Sequence, residues 1–250
     1  MRFLLPALAL AAFIFCTLVT TSGGQSQGQD QKYAENMTIV SKQAAGDFVP
    51  DGDLKKDVWK TAVPVTFDTS ARGNARFPEA ETTVSSVWTS HFVYFAYRCK
   101  YSTLNIYEGE STEKERWELW NRDVVEVFIN PEPARFNHYY EYEVAPNNQW
   151  IDLVIDLSKT PFNDAKWDSQ FEHATRIDKA NRFWTCEMRL PVSTMGVREI
   201  VSGAEWRLNF YRADGPGEDS KRKFLSWSPL PGPKMTFHQP TSFGIIRFLP

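Results

Sequence analysis

Three stretches of this chain set reactive or recognising side chains at spacings with chemical meaning. In WELWNRDVVEVFIN, residues 117–130, Trp117 and Trp120 run into a strongly apolar segment broken by one carboxylate, Glu126. A tryptophan face packs on sugar C–H groups and a carboxylate accepts from hydroxyls, so Trp120 with Glu126 suits a polyhydroxylated ligand. Glu141 and Glu143 share one face of an alternating segment. That spacing offers two carboxylates for acid–base work on a glycosidic bond, or merely a wet strand face. Toward the C-terminus Met235, Phe237 and His238 lie on a stretch bounded by Pro233 and Pro240. Phe237 and His238 fit a pocket wall or a loop tucked onto a sheet. The chain has no G-x-S-x-G, C-x-x-C, H-E-x-x-H or G-x-x-x-x-G-K-S/T pattern, and His91, His138, His173 and His238 are scattered. Serine-hydrolase, zinc and P-loop chemistry therefore lack their residues.

The elements that must position these residues read as strands. Val124, Val125, Val127, Phe128 and Ile129 are apolar on both faces, which predicts a strand covered on each side. Glu126 shares a face with Val124 and Phe128 and so needs a partner: Arg122, Arg98 or Arg212, a backbone N–H, or the hydroxyl of a ligand beside Trp120. Thr82–Trp88 and Phe92–Lys100 form a hairpin around Thr89-Ser90-His91. His138–Ala145 and Trp150–Leu157 alternate as strands with one wet face. Phe171–Ile177, Arg182–Leu190, Trp206–Tyr211, Phe224–Trp227 and Phe243–Phe248 complete the set with Val63–Phe67. The charged run Glu110–Trp120 is expected to make one or two helical turns, and Pro191–Met195 a short turn stopped by Gly196. Asp219–Phe224, with its basic run, reads as a solvated turn. About ten short strands with little helix predict an all-β fold, an antiparallel β-sandwich of jelly-roll or immunoglobulin-like type, with a closed barrel as the alternative.

Composition sets the class: 42% hydrophobic and 24% charged residues are ordinary for a globular protein, and 18 Phe with 9 Trp and 9 Tyr supply aromatics for a sandwich core or a sugar platform. Met1-Arg2-Phe3 and the apolar run Leu4–Val19 have the form of a secretory signal, cleaved within the small residues that follow. The expected organisation is a signal peptide over 1–24, a disordered polar spacer over 25–36 and one domain over 37–250. The destination is secreted or periplasmic. Nothing after the signal approaches the ~20 apolar residues of a membrane span, and the acidic excess argues against a nucleic-acid partner. Cys99 and Cys186, exported to an oxidising compartment, are open either as a disulfide or as two separate buried thiols.

Three stretches, in order, carry a resemblance: VPDGDLKKDVW at 49–59, VWTSHFVYFAYRC at 87–99 with WNRDVVEVFIN at 120–130, and WSPLPGPKMTFHQPTSFGIIRF at 227–248. The chain resembles the family 9 carbohydrate-binding module and its relatives among the DOMON-like sugar- and haem-binding β-sandwiches, from about Met37 onward. The resemblance implies a non-catalytic module associated with polysaccharide degradation, clamping a sugar or a polysaccharide chain end between two aromatic residues. Carried over, the first clamp residue falls on Trp120 and the hydroxyl-binding glutamate on Glu126. The second clamp tryptophan falls on Phe237, and the family's sugar-binding arginine aligns with Glu143, two departures from the pattern. No cofactor is expected, although the resemblance allows a structural calcium. The same superfamily implies a haem-binding electron-transfer domain as the alternative, with Met235 or His238 as one ligand and a second from elsewhere, since three residues apart the two do not easily reach opposite faces of one haem; a glycoside hydrolase using Glu141 or Glu143 is the weaker one.

Overall fold

The computed structural model describes residues 34, 36–215, 218 and 221–250. The expected signal segment 1–24 lies outside the described residues, as does the spacer 25–36 except for Ala34 and Asn36. Thirteen strands follow in chain order: β1 (Thr38–Gln43), β2 (Val65–Phe67), β3 (Thr82–Trp88), β4 (Phe92–Lys100), β5 (Val124–Asn130), β6 (His138–Val144), β7 (Trp150–Asp156), β8 (Asn163–Asp164), β9 (Glu172–Asp178), β10 (Phe183–Pro191), β11 (Glu205–Asp214), β12 (Lys223–Ser226) and β13 (Gly244–Leu249). They form one curled sheet in the order β8-β7-β6-β5-β11-β13-β1-β3-β4-β10-β9, with β12 added to β11 and β2 to β3.

The curl brings the two ends of this path face to face, as in a sandwich. Val84, Phe95 and Trp184 from one half and Val127, Tyr142 and Phe210 from the other belong to one core, where the Phe95 and Phe210 rings meet edge to face at 5.4 Å. Every pairing is antiparallel except those of β1, which runs parallel to both β13 and β3 and joins the halves. Its mixed sequence, TIVSKQ, has no sustained apolar alternation, so pattern alone gave no strand there.

Two stretches depart from the sequence reading. Glu110–Trp120 is irregular, with only a 3-10 turn at Leu119–Asn121. Glu118 takes φ 62°, and the Arg116 N–H donates to the Trp150 carbonyl at 2.9 Å, so the backbone bonds that a helix needs go elsewhere. The wet face expected of β6 and β7 is also absent. Tyr140, Tyr142 and Val144 face the core, and Tyr139, Glu141 and Glu143 are buried beneath loops on the other side. Asp152, fully buried, accepts from the Ser169 N–H at 3.1 Å and from the Ser169 hydroxyl.

The two cysteines do not form a disulfide. Cys99 lies opposite Trp184 and Cys186 opposite Tyr97 across β4 and β10, so the thiols are diagonal neighbours. Diagonal positions stand ~7–8 Å apart, beyond the Cα separation that a disulfide spans. Burial pushes the Cys99 thiol up to about 11 and raises that of Cys186 as well.

The aspartate–glycine segment at 51–52 is held by a carboxylate on β10. Glu187, with no exposed surface, accepts from the Asp51 and Gly52 N–H groups at 2.8 Å each, from Trp59 Nε1 at 2.6 Å and from Lys56 Nζ at 2.5 Å. Gly52 sits at φ 76°, and a Cβ there would lie 2.9 Å from Arg176 Cγ and 3.1 Å from the Thr175 carbonyl carbon. Only glycine fits that turn without a shift.

Candidate functional site

The far face of β5, β6, β7 and β11 carries a second cluster, in which Phe128, Tyr139, Leu153 and Tyr211 pack beneath loops. Strand register decides what meets on this face. Glu126 on β5 stands directly opposite Glu143 on β6 and Tyr211 on β11, while Phe128 stands opposite Glu141. Between this floor and the covering loops is a cavity of about 740 Å³. Trp120, Glu126, Glu141, Glu143, Phe237 and His238 all line it, so the fold assembles every candidate binding residue read from the sequence in one place.

Trp120 comes from the 3-10 turn, whose Leu119 is fully buried, and Trp117 meets it edge-on at 5.0 Å while remaining 45% exposed. Asp123 fixes the start of β5 below that turn. Its carboxylate accepts from the Asn105 and Gly215 N–H groups, each at 2.8 Å, tying two loops to the strand. On the other wall Phe237 lies flat on Tyr211, ring centroids 4.2 Å apart and planes within 9°. The Tyr211 hydroxyl donates to the Phe237 carbonyl at 3.0 Å, which holds the loop to the sheet.

His238 is part of the wall rather than a free ligand. Its ring stacks on Phe128 at 5.2 Å, and Nδ1 lies 2.9 Å from the Tyr139 hydroxyl. Burial pushes the imidazole down to about 4, so at neutral pH it is uncharged and shares one hydrogen bond with the Tyr139 hydroxyl. Glu141 Oε2 is 4.0 Å away. Met235, on the same loop, is 51% exposed at the cavity edge.

The carboxylates are the site's unusual feature. Glu126, Glu141 and Glu143 are 2%, 3% and 0% exposed, and one oxygen of each falls within 4.8 Å of the others. Burial raises all three, Glu141 to about 7. Mutual repulsion raises Glu126 and Glu143 further, and the Arg222 charge offsets part of it. Neither oxygen of Glu143 and not Oε2 of Glu141 receives a hydrogen bond from an N–H or hydroxyl donor among the described residues. The bond open to Glu143 is one to the Glu141 carboxyl, which requires a proton on one of the two.

Arg222 is the site residue that sequence reasoning missed. The basic run 219–224 reads as a solvated turn, yet Arg222 is 8% exposed and lines the cavity. Its Nη2 donates to the carbonyls of Trp120 at 2.5 Å and Arg122 at 2.8 Å, which braces the tryptophan turn. One signal was available: the run leads directly into the short strand at Phe224, so a long side chain at its start can reach back over the sheet. The arginines expected beside Glu126 are engaged elsewhere. Arg98 stacks over Phe183, Arg122 over Tyr107, and Arg212 pairs with Asp214 at 2.5 Å.

Comparison with known proteins places this geometry. Residues 50–249 match the family described as carbohydrate family 9 binding domain-like. A protein of Arthroderma benhamiae, described as an extracellular protein, is 25% identical over 195 residues, covering 74% of this chain and 85% of its own length. Among solved structures, a Bacteroides uniformis protein described as carbohydrate-binding superposes with TM-score 0.68 at 18% identity, over 84% of this chain and 98% of its own. A family 9 carbohydrate-binding module of Caldicellulosiruptor kristjanssonii in complex with cellotriose gives TM-score 0.61 at 16% identity, over 85% and 94%.

Proposed function

The chain belongs to the carbohydrate family 9 binding domain-like family, and on that premise we propose that it is an exported, non-catalytic module that holds a sugar or polysaccharide chain end in the cavity between Trp120 and Phe237. The observation that carries this reading is the pairing of aromatic walls with a polar floor. Trp120 and Phe237 offer apolar faces to sugar C–H groups, while Glu126, Glu141, Glu143 and Arg222 line the same cavity with groups that can bond hydroxyls. A cavity of about 740 Å³ is within the size range of sites for small ligands. A contact of this size implies an affinity on the order of micromolar, not nanomolar.

Binding is favoured over hydrolysis by the layout of the carboxylates. A glycosidase sets its two carboxyl groups on opposite sides of the bond to be cleaved, whereas these three converge on one floor formed by adjacent strands. Export is supported by the apolar N-terminal run and by the extracellular description of the Arthroderma relative. An association with polysaccharide degradation follows from the same reading.

The test is a tryptophan-fluorescence titration with glucose, cellobiose and xylo-oligosaccharides. Saturable quenching or a blue shift by at least one of them is expected, because Trp120 lines the cavity. An unchanged spectrum with every sugar at millimolar concentration would remove the reading.

A further inference from the structure

We propose that Glu126, Glu141 and Glu143 form a binding site for a divalent, oxygen-preferring cation, calcium by its donor set, at the floor of the cavity. The strand register places Glu126 directly opposite Glu143, and like charges at directly opposite positions destabilise a sheet. The arrangement is buried, so water does not screen it: none of the three side chains is more than 3% exposed. Among the described residues, Arg222 is the one lysine or arginine that lines the cavity with them, and one positive charge does not balance three ionised carboxylates.

A second observation points to a ligand at this spot. Both oxygens of Glu143 and Oε2 of Glu141 are buried against the cavity without an N–H or hydroxyl donor among the described residues. Buried acceptors in that state cost free energy unless something fills them. A proton shared between two of the carboxyls satisfies one bond and leaves the other lone pairs idle. A dication satisfies all three groups and cancels the remaining charge.

Geometry narrows the choice of ion. Oxygens on a calcium lie ~2.3–2.6 Å from it, so two of them stand up to ~5 Å apart. One oxygen from each glutamate already falls within 4.8 Å of the others, close enough that small side-chain adjustments bring all three onto a single ion. The clustered donors are carboxylates, and the imidazole nitrogen beside them, His238 Nδ1, is taken by the Tyr139 hydroxyl, which disfavours zinc and copper. Magnesium demands shorter, near-octahedral contacts and sheds water reluctantly. Three carboxylates fill only part of a calcium sphere, and the open positions face the cavity.

This site is read out by the metal alone, so it stands or falls separately from sugar binding. The experiment titrates chelator-treated protein with Ca2+ by calorimetry at neutral pH in about 0.15 M KCl, which screens diffuse surface attraction. It repeats the titration with Tb3+, whose luminescence is sensitised through a nearby tryptophan, here Trp120. One saturable site with Kd on the order of 0.1–1 mM is expected, with Ca2+ displacing Tb3+. Glu143→Gln and Glu141→Gln should each weaken binding at least about tenfold, and Glu132→Gln, an exposed acid on the β5–β6 turn, should leave it unchanged. Calcium should raise the melting temperature of the parent protein and not that of Glu143→Gln. No saturable heat and no displaceable Tb3+ signal, or equal affinity in the parent and both cavity variants, would overturn the proposal.

Discussion

Replacing Glu187 tests how the segment at 51–59 is fixed. Its carboxylate receives four donors, two of them, the Gly52 N–H and Trp59 Nε1–H, in fully buried bonds. Alanine strands both, and each buried orphan donor costs about 1–3 kcal/mol. The Asp51 N–H regains water, and Lys56 keeps its pairing with Asp51, so these two contribute less. The total comes to about 4 kcal/mol, a large part of the ~5–15 kcal/mol that holds a typical domain. For a domain of this size that corresponds to a fall in Tm of roughly 10 °C. Glutamine keeps one carbonyl acceptor but presents N–H groups where the second oxygen was, so Glu187→Gln should lose about half as much. Urea denaturation of both variants gives the two values. Sugar affinity should not change, since Glu187 lies outside the cavity. A loss below about 1 kcal/mol in Glu187→Ala, or equal losses in the two variants, would refute the reasoning.

Three further outcomes follow from the packing. Gly244→Ala puts a methyl group 2.6 Å from the Met37 carbonyl and 2.8 Å from the Trp227 ring, so it should cost about 2–3 kcal/mol by denaturant titration. His173, half-buried beside Phe171 and Trp150, is pushed down by desolvation to about 4 from an ordinary 6.5. Between those values the unfolded chain takes a proton that the folded chain refuses, so stability is lost as pH falls, by about 3 kcal/mol from this group. Comparing His173→Gln with the parent at pH 7 and pH 4 should show a loss larger in the parent by about that amount, since the variant keeps the similar loss from His238. Cys99 and Cys186 should resist alkylation in the native protein and both label after unfolding, as peptide mass mapping would show; a linked peptide pair would contradict their separation.

The strands that hold the site were legible because their patterns are extreme. Val124–Asn130 is apolar at all but one of its interior positions, and Phe92–Lys100 is aromatic on both faces, which leaves few alternatives to a covered strand. Glu126 stood out as the exception in the first and does lie at the cavity floor. What did not show was whatever depends on partners distant in sequence. Glu141 and Glu143 alternate like residues of a wet face, and nothing local tells that loops near 120 and 237 bury them. Arg222 looks like one basic residue among several until the chain brings it against the Trp120 carbonyl. Strand β1 is polar enough to pass as loop, and its place is set by pairing with β13 and β3, whose residues are remote in the chain. The helical expectation for 110–120 failed for the same reason, since the Arg116 backbone is taken by Trp150.

The measurement that bears most directly on the proposed function is calorimetric titration of the protein with glucose and cellobiose, alongside Trp120→Ala and Phe237→Ala. The account predicts saturable binding to the parent and at least a tenfold loss, about 1.4 kcal/mol, in each variant. Binding that survives both substitutions at parental strength would place the sugar elsewhere and contradict the account.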